Sequence, residues 1–96
     1  MDQPAGLISD LLDPSARVDE RDDAAMDLSQ FDEPEAIAAL IQVGCDADED
    51  EIVLESVGES IAEILLRDGR TWTLGIDRLT KVARREFDAL VSRSTD

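Results

Sequence analysis

Residues 48–65, DEDEIVLESVGESIAEIL, decide the fold. Val53, Val57, Ile61, Ile64 and Leu65 recur at helical spacing, and Glu55, Glu59 and Glu63 fall opposite them, so the segment predicts a helix with one core face and one carboxylate face. Asp48 followed by Glu51 resembles a capping box with aspartate at the cap. Gly69, after Arg67 and Asp68, supplies the residue on which helices commonly end. The predicted helix covers about residues 49–67.

Upstream, Asp32 is the expected cap of a helix over 33–44. Glu33, Pro34 and Glu35 fill its first turn, and Ile37, Leu40, Ile41 and Gly44 keep the spacing. A further helix over 17–31 gathers Val18, Ala24, Ala25, Leu28 and Phe31 away from Asp19, Asp22, Asp23 and Asp27. A short one over 5–12 is stopped at Asp13-Pro14, because proline cannot continue a helix. Downstream, residues 70–75 alternate like a strand, but a single strand has no sheet to join, so this is read as a loop pinned by Trp72. The last predicted helix, 76–92, turns Ile76, Leu79, Val82, Ala83, Phe87, Leu90 and Val91 inward and Arg78, Lys81, Arg84 and Arg85 largely outward. The expected fold is all-α, a single domain over 1–96.

The 96 residues are 43% apolar, enough for a modest core. No run approaches the roughly 20 apolar residues of a membrane span, and Met1-Asp2-Gln3-Pro4 lacks a signal-peptide layout, so a soluble, cytoplasmic protein is expected. One cysteine, Cys45, excludes an internal disulfide and reads as a buried thiol. With no histidine the usual zinc and iron ligand sets cannot form, and no cofactor is expected. The net charge of −15 is uneven: residues 1–59 hold 18 acids against 2 arginines, residues 60–96 hold 6 acids against 7 basic residues. Such a field repels nucleic acid and anionic membranes and steers a basic protein partner, although acidity also serves solubility alone.

An offset of 33 residues lays Leu7, Ile8 and Asp13 on Leu40, Ile41 and Asp46, and Ala24, Ala25, Leu28 and Phe31 on Val57, Gly58, Ile61 and Ile64. A third, partial copy follows at an offset of 39, pairing Ile37, Leu40, Val43 and Gly44 with Ile76, Leu79, Val82 and Ala83. Each full copy reads as helix, acidic turn, longer helix.

Asp13-Pro14-Ser15-Ala16-Arg17-Val18, Ala24-Ala25 with Leu28, and Glu35 to Leu40 resemble HEAT-like repeats of the phycobilisome-lyase type, over residues 7 to about 66. The resemblance implies a short α-α superhelix of about two and a half helix pairs, whose second helices line a concave, protein-gripping surface. Carried onto this chain, that surface would hold Asp19, Asp22, Asp23 and Asp27, then Glu55, Glu59 and Glu63. The family's basic residue before the small pair is present as Arg21 but is Leu54 in the next copy. Two and a half copies lie near the minimum of about three, so the last helix acts as a cap or the protein self-associates.

Asp46, Asp48 and Asp50 occupy positions one, three and five of a would-be calcium loop, but Glu51 stands where glycine is needed and Val57 where a glutamate is needed. The cluster reads instead as a solvated turn able to receive lysines and arginines of a partner. Catalysis finds no histidine or tyrosine, and the carboxylates lie on solvent-facing stripes. Ser56 and Ser60, one turn apart, are read as packing residues, and Trp72 as a core cap or an interface anchor. The expectation is a non-enzymatic module whose acidic face (Asp19, Asp22, Asp23, Asp27, Asp46, Asp48, Asp50, Glu55, Glu59, Glu63, with Trp72) binds a basic protein, as an immunity or antitoxin-type inhibitor binds a toxin. A small adaptor binding through its apolar end is the alternative. A lyase-type enzyme subunit is a further one that only the resemblance carries.

Overall fold

The computed structural model describes residues 3–68 and 76–94, and every regular element among them is helical. These are α1 (Ala5–Leu12), α2 (Val18–Asp27) continued by one 3-10 turn (Leu28–Gln30), α3 (Pro34–Gly44), α4 (Glu51–Asp68), a second 3-10 turn (Ile76–Arg78) and α5 (Lys81–Ser94). Gly69, the 70–75 segment and Trp72 lie outside the described residues.

The long helix α4 is the centre: α2, α3 and α5 all pack on it, while α1 packs on α2 and α3. Its predicted core face is the observed one, with Val53, Val57, Ile61 and Ile64 fully buried against Leu11, Leu28 and Leu40. At about 25 cal/mol per Å², each such side chain contributes on the order of 2 kcal/mol.

Helix-to-helix approach is set by small residues. Gly58 of α4 meets the backbone of Ala83 so closely that an added Cβ would stand 2.2 Å from the Ala83 carbonyl oxygen. On the other side of α4, Ser60 Oγ donates to the Ala25 carbonyl of α2 at 2.6 Å. Ser56 Oγ donates to Asp22 Oδ1. The two serines thus tie α2 to α4 while keeping them close.

The two acidic turns are built alike, 33 residues apart. Asp13 Oδ1 accepts the Ser15 N–H and Asp46 Oδ1 accepts the Asp48 N–H, both at 2.9 Å. The Asp13 carbonyl accepts from Ala16 and the Asp46 carbonyl from Glu49, both at 3.2 Å. The following helices open with Arg21 N–H to Arg17 and Leu54 N–H to Asp50, both at 3.0 Å.

Four expected boundaries are corrected. Asp50, not Asp48, caps α4: its Oδ1 accepts the Ile52 N–H at 2.9 Å, while Asp48 is held in the Asp46 turn. Glu33, not Asp32, holds the cap position of α3, without a side-chain bond, because its extended backbone (ψ 140°) leads directly into Pro34. The helix expected over 17–31 tightens at Leu28, where Ser29 Oγ bonds the Met26 carbonyl at 2.7 Å and competes with the α-helical ladder. The helix expected from Ile76 restarts at Lys81. Thr80 is its cap, with Oγ1 accepting the Ala83 N–H at 3.3 Å and its carbonyl accepting Arg84 N–H at 2.8 Å.

Candidate interaction surface

With α2, α3 and α5 packed around it, α4 turns one stripe to solvent. Ile52, Glu55, Glu59, Glu63 and Leu66 follow one another at three- and four-residue steps, which places them on one side of the helix. Glu59 and Glu63 are exposed and Glu55 is half-buried. No ion pair joins any of the three to a basic side chain among the described residues. Their mutual repulsion has a titration consequence. The Glu59 carboxyl is held above its ordinary range, first by partial desolvation and then by the Glu86, Glu63 and Glu55 carboxylates, with Arg93 opposing.

The expected aspartates are placed differently from one another. Asp22 reaches α4 through Ser56, whereas Asp23 and Asp27 are exposed and Asp27 projects about 140° round the helix from Asp22. Asp19 is exposed and engaged by Arg17, whose guanidinium donates at 2.5 and 2.9 Å and lowers the Asp19 titration. Asp46 and Asp50 spend an oxygen each on backbone N–H groups of the turn, and Asp48 is exposed. The structure therefore brings Glu55, Glu59 and Glu63 together with Asp22 alongside, and leaves Asp46, Asp48 and Asp50 at the N-terminal end of the same helix. Trp72 lies outside the described residues.

Two features escaped the sequence. Ile52 is 55% exposed and Leu66 39%, at the two ends of the carboxylate row. Each differs by only one position from a buried neighbour, Val53 or Leu65, so composition hides them. The second is Glu49, inside the acidic run but turned inward. Arg21 grips its carboxylate with two N–H groups at 2.7 and 2.5 Å and gives Nε to the Leu11 carbonyl at 3.1 Å. The pair is 12% and 9% exposed, and the bond lowers the Glu49 titration. It borders a cleft of about 240 Å³ between the two turns, lined by Leu12, Pro14, Gln42 and Val43.

Among the described residues no three His, Cys, Asp or Glu side chains form a group that could hold a metal ion, and no helix is long and apolar enough to cross a membrane. Comparison with family profiles, curated proteins and solved structures finds no match to this chain.

Proposed function

We propose that this protein is a non-catalytic binding module that takes a basic protein partner on the solvent face of α4. The observation that carries the reading is the row Glu55, Glu59, Glu63: three carboxylates one turn apart, with no basic side chain paired to them among the described residues. Like charges at this spacing weaken an isolated helix by about 0.2–0.5 kcal/mol per pair. A cationic partner removes that penalty as it binds. The surrounding negative field raises the encounter rate with such a partner. The most concrete form is an immunity or antitoxin-type inhibitor of a basic toxin.

The frame proposed for this face is a short HEAT-like array. Its support is the packing of α1 on α2, α3 on α4, α1 on α3 and α2 on α4, as two stacked helix pairs require, with matching turns 33 residues apart. The small residues at the offset, Ala25 and Gly58, each meet the next helix in the same layer, through Ser60 and Ala83.

The test is capture from the source cell with the tagged protein and with a variant carrying Glu55→Gln, Glu59→Gln and Glu63→Gln, at low and raised salt. A basic protein held by the wild type and lost from the variant supports the reading. Capture that survives both changes moves the contact elsewhere and ends it.

A further inference from the structure

Five large hydrophobic side chains expose more than a third of their surface, and two of them, Ile52 and Leu66, stand at opposite ends of the α4 carboxylate row. The steps from Ile52 through Glu55, Glu59 and Glu63 to Leu66 are three, four, four and three residues, a pattern that reads the same in both directions. At 1.5 Å per residue it spans about 21 Å, with carboxylates repeating every ~6 Å. On the flank, Met26 of α2, one turn beyond Asp22, is 52% exposed and adds an adaptable apolar surface.

The neighbouring cations are engaged elsewhere. Arg84 donates to Asp88 at 2.9 Å, and Arg85 faces Glu51 at 4.0 Å and Glu86 at 3.7 Å. The charges acting on Glu59 are Glu55 and Glu63 from α4 and Glu86 and Arg93 from α5, an excess of carboxylate that a partner must complement. A partner helix repeats its own i, i+4 side chains at the same ~6 Å, so basic residues stay in step with the row. The same-face repeat of a strand is about 6.7 Å and drifts out of step.

We infer that the occupant of this face is an amphipathic helix, presenting three basic residues one turn apart to Glu55, Glu59 and Glu63 and an apolar residue at each end to Ile52 and Leu66. The inference rests on the binding role proposed above for the acidic face. Ile52 and Leu66 are then the residues that select such a helix from other basic chains, because they reward apolar side chains only at the matching distance. Since the pattern is symmetric, the helix fits in either direction.

The experiment measures, by fluorescence anisotropy, binding of three synthetic peptides of one composition to the full chain. The first is a helix with Leu, Lys, Lys, Lys and Leu at the three-four-four-three spacing, the second spreads the lysines around the helix, and the third moves a terminal proline of the set to the centre. The first is expected to bind at least about tenfold tighter than the others. It should lose about tenfold on the variant Ile52→Ser with Leu66→Ser, whose thermal unfolding stays that of the wild type because both residues are exposed. Equal binding of all three peptides, abolished by the triple glutamine variant, overturns the helical occupant and leaves the basic-partner reading standing. Peptides that do not distinguish the wild type from the triple variant overturn both.

Discussion

The carbonyls of Leu11 and Gly44, 33 residues apart at corresponding helix ends, are satisfied by different donors: Leu11 by Arg21 Nε at 3.1 Å, Gly44 by the Thr80 backbone N–H at 2.9 Å. The substitution explains why the repeat carries Arg21 in one copy and buried Leu54 in the other. Arg21 has the next acidic turn, with Glu49, to grip, whereas the chain before α5 brings its own N–H.

Removing Arg21 should therefore be expensive. Arg21→Ala leaves the Glu49 carboxylate buried and unpaired and the Leu11 carbonyl without its donor, and is expected to cost about 3 kcal/mol in denaturant unfolding. Arg21→Met with Glu49→Met should cost much less than the two single changes together. The pair's stabilisation is complete above the ordinary glutamate range and is lost as pH falls through the lowered Glu49 value. The gap between wild type and Arg21→Ala should accordingly narrow below about pH 4.

Gly58→Ala places a methyl group 2.2 Å from a backbone oxygen, which can yield only if α5 moves as a whole. Despite the better helix propensity of alanine, a loss of about 2 kcal/mol and a fall of about 10 °C in Tm are expected. Gly44→Ala is the control. Its closest clash, 2.6 Å, is with the end of the Leu79 side chain, which can turn away, so a change within about 1 kcal/mol is expected.

The cap assignment separates two neighbouring aspartates. Asp50→Ala removes the acceptor of the Ile52 N–H and is expected to cost about 1 kcal/mol. Asp48→Ala should stay within about 0.5 kcal/mol of the wild type. Equal losses in thermal melts would return the cap to Asp48.

Glu59→Gln should stabilise the protein at neutral pH, by less than about 1 kcal/mol because the residue is exposed. The sign follows from its raised titration: the folded state takes up this proton more readily than the unfolded chain, so ionised Glu59 works against folding. The gain should vanish as pH falls through the raised value. A melt series of both proteins from pH 7 into the acid range checks it.

All five helices were legible in the apolar spacing, most clearly α4, because a helix packed on three sides must place Val53, Val57, Ile61 and Ile64 at regular angles. Their ends were less so. Asp32, Asp48 and Asp50 are all chemically good caps, and only the backbone path chooses among them or passes over them, as at Glu33. Thr80 lay hidden in a continuous apolar pattern, since the 3-10 turn Ile76–Arg78 buries its residues at spacings close to those of an α-helix. Of the surface, the carboxylate row could be read directly. The inward turn of Glu49 could not, because it depends on Arg21 arriving from a helix 28 residues away.

Gly58 also bears on how the chain is made. A glycine in the middle of an 18-residue helix weakens it by about 1 kcal/mol relative to alanine, and what offsets that weakness is the contact with Ala83. Before α5 has been synthesised, the side of α4 holding Gly58 and Ala62 has nothing to lie against. The nascent protein thus passes through an interval in which its central helix is unfinished and open to chaperones and proteases, and the docking of α5 closes that interval.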